Sequence, residues 1–194
     1  MKTLLLITIF LITFKSFGQL PEYTSNVDDT LANKSHLFQK FGKNYKLVVG
    51  YTQNSFWNKR QNYSVLTYNG STWRFTEWSY QLNKKKSPIK QKLKSFNLDV
   101  KEATGFLDFI NSRGFFSFNQ DSLNLNKKNV GNGNTLVRQI LDGTTYQFEV
   151  FGPSGYRISF AHEPERLQEF IATEQRKNFI DCRNRFTELS NNFR

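Results

Sequence analysis

The chain has 194 residues, 27 Lys+Arg against 16 Asp+Glu, a formal net charge of +11, twenty Phe, two His and one Cys. A single cysteine forbids an internal disulfide and excludes multi-cysteine zinc sites, and His36 and His162 alone cannot make an all-histidine metal centre. No metal and no cofactor is expected.

Lys2, the apolar run 4–14 and the small residues Ser16 and Gly18 read as an export leader over residues 1–18, cut before Gln19. The run is eleven residues long, against the roughly 20 that a membrane span needs, so no span is expected after cleavage. Without the leader the charge is about +9. Residues 19–194 suit a single domain, large enough to bury about 70% of its unfolded surface without staples. The expected location is secreted or periplasmic.

Residues 19–29 are polar and predict an extended lead-in. Residues 30–43 predict a short helix with Leu37, Phe38 and Phe41 on its apolar side, stopped by Gly42. The period then changes to two. Residues 45–51, 63–68 and 72–82 predict strands rich in aromatic and β-branched residues, with Asn69-Gly70 as a hairpin signal between the last two. Trp73 and Trp78 fall on opposite faces of their strand, one expected in the core and the other partly exposed. Residues 52–62 form a polar connection carrying Trp57.

Residues 84–94 hold six lysines and no acid, and predict a long basic loop leading into a strand at 93–100. Asp99 and Glu102 make a capping box. The helix it opens carries Ala103, Phe106, Leu107 and Ile110 on one face and ends at Gly114. Residues 115–118 read as a short buried strand, and residues 120–135 as a mobile loop. A meander follows: 136–141, an Asp142-Gly143 turn, 144–151, a turn at 152–155, and 156–161. Pro164 opens a helix. Thr173 breaks it, and Phe179, Cys182, Phe186 and Leu189 continue at helical spacing to the C-terminus.

The predicted class is α+β: antiparallel meander sheet with flanking helices. The order of elements also fits two α-β-β-β-β repeats plus a C-terminal helix, with halves 30–100 and 101–194. One continuous antiparallel sheet is the alternative.

Chemical motifs are sparse. Residues 152–156 (Gly-Pro-Ser-Gly-Tyr) are not a nucleophile elbow and read as a turn. Cys182 reads as a buried apolar side chain. His162 stands at a strand-to-helix junction, where a cap or surface role is expected. Glu77 and Glu149 stand in aromatic-rich strands and are the carboxylate pair a glycoside hydrolase would need. Residues 131–134 (Gly-Asn-Gly-Asn) lack the residues of a phosphate or calcium loop.

Lys84, Lys85, Lys86, Lys90, Lys92 and Lys94 are the most distinctive cluster. Such a surface attracts phosphates, anionic polysaccharide or anionic lipid. Trp57, Trp73, Trp78 and Tyr80 are candidate stacking platforms beside it. The competing reading is a solvated basic stretch that blunts a sheet edge.

The leader, with Gln after the cut, and the Asn, Lys and Phe bias resemble exported proteins of the Bacteroidota. The stretch from the 115–118 Phe run through the Asp142-Gly143 turn to the 164–170 helix is similar to small secreted proteins of flavobacterial type. That resemblance implies no activity. It implies O-glycosylation at Asp-Ser/Thr-apolar tripeptides, here at Thr30 and Ser122.

Three functional readings follow. The first is a non-enzymatic binding protein for a polyanion, polysaccharide or envelope protein. The second is a cell-wall or polysaccharide hydrolase. The third is an inhibitor or structural protein that presents residues 120–135. Nucleic acid is not the expected partner of an exported chain.

Overall fold

Period-two alternation in the strand-forming residues is realised as one antiparallel sheet of six strands. The computed structural model describes residues 20–55 and 57–193; the expected leader, residues 1–18, lies outside them. The elements in chain order are α1 (Asp29–Ala32), a π-helical turn (Phe38–Gly42), β1 (Leu47–Ser55), β2 (Arg60–Tyr68), β3 (Trp73–Leu82) and β4 (Pro88–Leu98). Next come α2 (Val100–Ser112), a 3-10 turn (Phe115–Ser117), α3 (Gln120–Leu123), β5 (Lys127–Gly131) and β6 (Asn134–Val137). The chain ends with β7 (Thr144–Gly152), β8 (Gly155–His162), α4 (Pro164–Phe170) and α5 (Glu174–Asn191). The sheet order is β4-β3-β2-β1-β7-β8, and β5 pairs with β6 in a separate ribbon. The fold is α+β with flanking helices.

Strands from both halves of the chain share the main sheet, because β7 returns to the free side of β1. The element order that suggested a repeat is present, but the pairing is not repeated. β1 to β4 run as a continuous meander, whereas the second half splits into the β5–β6 ribbon and the β7–β8 hairpin.

The sheet buries both faces. On one, Leu47, Val49, Leu66, Phe75, Phe148 and Val150 meet Ala103, Phe106 and Ile110 of α2 and Phe179, Cys182, Phe186 and Leu189 of α5. Phe148 is central: its ring lies 4.9 Å from Phe115, 5.0 Å from Phe179 and 5.4 Å from Phe186. On the outer face, Val48, Tyr63, Val65, Trp78, Tyr80, Phe151 and Tyr156 are covered by Ala32, Leu37 and Phe41. Gly50 makes that cover fit, since a Cβ there would stand 2.3 Å from Leu37 Cδ2.

Several sequence expectations are corrected. The 30–43 helix is two short pieces, α1 and the π-helical turn. Trp73 and Trp78 do face opposite ways, but both are buried, because both faces of the sheet are covered. The Asn69-Gly70 signal sits in a four-residue loop between Tyr68 and Trp73. Asn69 Oδ1 accepts there from the amides of Ser71 and Thr72. The basic stretch is mostly strand: Lys90, Lys92 and Lys94 alternate with Gln91, Leu93 and Ser95, and β3 offers the free edge that pairs with them. In place of the strand expected over 115–118 stands a 3-10 turn, Phe115–Ser117, entered through Gly114 at φ 67°; Phe115, Phe116 and the following Phe118 are all buried. The expected mobile loop is α3 followed by the ribbon. Asp142-Gly143 joins β6 to β7, which do not pair.

Other expectations match. Asp99 Oδ1 accepts from the amide of Lys101 at 2.6 Å and caps α2. Pro164 occupies the first turn of α4. Thr173 is the N-cap of α5, its hydroxyl accepting from the Arg176 amide at 3.1 Å.

Candidate functional site

The hairpin pairing of β1 to β4 fixes what meets at each end of the sheet. The β1–β2 connection, with Trp57, and the β3–β4 turn, with Lys84, Lys85 and Lys86, emerge at the same end. Trp57 is 76% exposed. Asn83 organises the turn: its Oδ1 accepts from the amides of Lys85 and Ser87, both at 2.9 Å. Lys86 takes φ 57° and Lys90 φ 50°, a backbone region that non-glycine residues seldom occupy. Near Lys90 the register shifts, so Lys90 and Gln91 together oppose Tyr80. That is a β-bulge on an edge strand.

Beyond the bulge the strands are regular, and they set polar side chains in two cross-strand rows. Ser64, Glu77 and Lys94 make one; Asn62, Ser79 and Lys92 make the next. Period-two alternation puts all six on the helical face. They line a cleft of about 490 Å³, within the range of small-ligand sites. Tyr63, Trp78 and Leu93 border it, with side chains alternating to the outer face. The end of α5 closes one side, where Ser190 donates its hydroxyl to Glu77 Oε1. Arg60 Nη1 donates to Ser79 Oγ at 2.9 Å. Lys94 Nζ donates to the Phe193 carbonyl at 2.9 Å and lies 5.0 Å from the Phe96 ring centre. The site is a mixed surface: ammonium groups for anions, with hydroxyl, amide and carboxylate groups for sugar-like hydroxyls.

Of the residues expected from sequence, the structure brings Lys84, Lys85, Lys86, Lys90, Lys92, Lys94 and Trp57 to this edge and end. It removes Tyr80 and the ring of Trp78 as platforms. Both are buried in the outer-face core, at 1% and 2% exposure, where Trp78 packs on Phe41, Tyr63 and Tyr80. Asn62, Ser64 and Ser79 were not singled out from sequence. Their signal is the strand register, which turns residues far apart in sequence into one row.

Glu77 and Glu149 do not converge. Glu77 faces α5, while Glu149 faces outward, so the sheet separates them. Glu149 is 2% exposed. It accepts from Ser35 Oγ at 2.6 Å, Tyr156 OH at 2.8 Å, Gln147 Nε2 at 3.0 Å and Tyr63 OH at 3.3 Å. Those four neutral donors replace the water a buried carboxylate loses. Through Ser35 they clasp the N-terminal segment to the sheet. Burial, followed by the Glu149 charge, holds Tyr63 and Tyr156 above the usual phenol range. Tyr80 is pushed to about 12, chiefly by burial.

The remaining candidates are engaged structurally. His162 Nδ1 lies 3.2 Å from Thr145 Oγ1, and its Nε2 lies 3.2 Å from the Ile140 carbonyl. Neighbouring Glu163 accepts from the Thr144 amide at 2.7 Å and pairs with Arg166. Cys182 is fully buried, and burial pushes its thiol to about 12. Thr30 is exposed on α1, whereas Ser122 is half-buried in α3. Among the described residues no group of three or more His, Cys, Asp or Glu could hold a metal ion, and no helix is long and apolar enough to cross a membrane.

No protein-family model, curated protein or solved structure matches the chain.

Proposed function

We propose that the chain is an exported, non-enzymatic binding protein whose ligand is an anionic polysaccharide. The observation that carries this reading is the pair of polar rows ending in Lys94 and Lys92. They line a cleft of about 490 Å³ at the end of the sheet where Trp57 and Lys84 to Lys86 also emerge. A chain of sulfated or carboxylated sugars lies along the lysines of β4. Its hydroxyl groups meet Asn62, Ser64, Ser79 and Glu77, and Trp57 supplies an aromatic face at the mouth.

Binding to immobilised heparin across a salt series, beside neutral dextran, tests the reading. Affinity for heparin falls as salt rises, and dextran is not retained. Lys92→Gln with Lys94→Gln lowers the salt slope by about one per lysine removed. Replacing Lys84, Lys85 and Lys86 by Gln acts on the slope in the same sense but leaves saccharide selectivity unchanged. Heparin binding that survives replacement of all six lysines overturns the proposal.

A further inference from the structure

The β5–β6 ribbon stands apart from this cleft and has a different chemistry. Asn132 at φ 51° and Gly133 at φ 74° form its turn, the paired left-handed geometry of a tight two-residue hairpin. Lys127 pairs with Val137 and Lys128 with Leu136. All nine strand residues are exposed, Val130 at 50% and Leu136 at 53%.

The base, by contrast, is fixed. The Arg138 amide donates to the Asn126 carbonyl at 2.9 Å. Arg176 of α5 is fully buried. Its Nε donates to the Leu123 carbonyl at 2.8 Å and its Nη2 to the Leu125 carbonyl at 2.7 Å. The arm is therefore held in position while its own strands touch mainly water. A two-stranded ribbon is marginal in water and gains independent stability with a third strand. Among the described residues no strand pairs with either outer edge of the ribbon. Residues 124–141 contain Lys127, Lys128 and Arg138 and no acid. A second copy of the arm would bring three like charges against three, which disfavours self-pairing.

We infer that the ribbon is a docking arm that binds an acidic, extended segment of a partner protein as a third strand along β5. The partner's backbone pairs along the edge of β5; acidic side chains meet Lys127 on the face it shares with Val137 and Lys128 on the face it shares with Leu136, and apolar ones cover the exposed Val137 and Leu136.

The test uses the protein with a labelled ten-residue peptide of Glu and Val. The controls are a Lys and Val peptide and a Glu and Val peptide interrupted by two central prolines. Binding is read by fluorescence anisotropy, and protection of the 127–137 amides by hydrogen exchange. The Glu and Val peptide is expected to bind and to slow exchange of the ribbon amides about tenfold. Lys127→Glu with Lys128→Glu weakens it about tenfold or more, while Lys92→Gln with Lys94→Gln does not change it. Equal binding of the proline-interrupted peptide, without amide protection, overturns strand addition. So does a concentration-dependent dimer that Val130→Ser with Leu136→Ser dissolves, which would make the occupant a second copy. Binding to phosphatidylglycerol vesicles that the Glu and Val peptide does not displace overturns the assignment to a protein partner.

Discussion

At β8, side-chain amides take the place of a neighbouring strand; at β4, no strand among the described residues pairs with the outer edge, and the strand is rich in lysine. Asn26 accepts from the Ile158 amide at 2.9 Å and donates to the Ile158 carbonyl at 2.8 Å. Gln120 makes the same two-way contact with Phe160, and Asn124 Oδ1 accepts from the His162 amide at 3.1 Å. Positions 158, 160 and 162 are thus satisfied in turn by three neutral amides. At the other edge, eight of the eleven β4 residues are exposed. Its protection against self-pairing is a bulge, a proline at the start and repelling charge. Side-chain amides close an edge to every partner, whereas lysines close it only to like charge. The difference makes β8 a closed edge and leaves β4 as the edge at which the proposed binding is to be tested.

The largest expected effect comes from removing the support of the sealed edge. Arg176 holds the 122–125 segment, which contains Asn124 and follows Gln120. Arg176→Ala removes the guanidinium donors to the buried Leu123 carbonyl and to the part-buried carbonyls of Ser122, Leu125 and Ile171 and is expected to lower stability by about 3–5 kcal/mol, read by urea denaturation. A loss no larger than that of an exposed arginine would contradict the clamp.

Stripping the amides directly is the next test. Gln120→Ala with Asn124→Ala is expected to cost about 2 kcal/mol. It also opens β8 to pairing, so size-exclusion chromatography should show association that rises with concentration. A monomer at all concentrations would mean that the amides are not what keeps this edge closed.

Alkaline titration is expected to act on the sheet as a whole and not to separate the edges. Tyr63 and Tyr80, towards β4, and Tyr156, on β8, all have folded values raised above the unfolded value of 10.0. Stability from these phenols is full below about pH 10 and is lost as pH rises through their folded values, near 12 for Tyr80. Thermal melts from pH 8 to 12 should therefore fall only in the upper part of that range. A comparable loss below pH 9 would contradict burial of the neutral phenols.

The smallest stability effect belongs to the lysines. Lys92→Gln with Lys94→Gln should shift stability by less than about 0.5 kcal/mol, as chemical denaturation would show, while weakening the proposed polyanion contact. A larger loss would make the basic edge a structural feature, like the amide-sealed one.

Much of the scaffold was legible because its signals are local. The Asp99 cap, the Pro164 start, the Thr173 boundary and the apolar stripe of Phe179, Cys182, Phe186 and Leu189 need only neighbouring residues. The β7–β8 hairpin was legible for the same reason. The two Asn-Gly pairs show the limit of such signals. Asn69-Gly70 reads as a tight turn but lies in a four-residue loop set by the Asn69 side chain. Asn132-Gly133, read as part of a flexible connector, makes the tight turn itself. No wide alternation of apolar residues flanks it, so its strands are hidden from a burial-based reading.

The lysine stretch was visible as charge, but not as an edge strand. Its pairing depends on β3 having a free side. Trp78 and Tyr80 looked available because the sequence does not say that Leu37 and Phe41 return to cover the outer face. Glu77 and Glu149 looked like a pair because sequence carries no information about which side of the sheet each strand presents.

The sequence by itself determined the α+β class, the starts of α2, α4 and α5 and an aromatic core in place of disulfides, because capping, periodicity and composition act over a few residues. Tertiary structure alone decided that β7 joins β1, that one edge is sealed and the other left open, and that Asn62, Ser64, Ser79 and Glu77 stand beside Lys92 and Lys94. Those facts depend on register and on contacts between residues far apart in the chain, which are fixed only when the whole sheet closes its backbone hydrogen bonds.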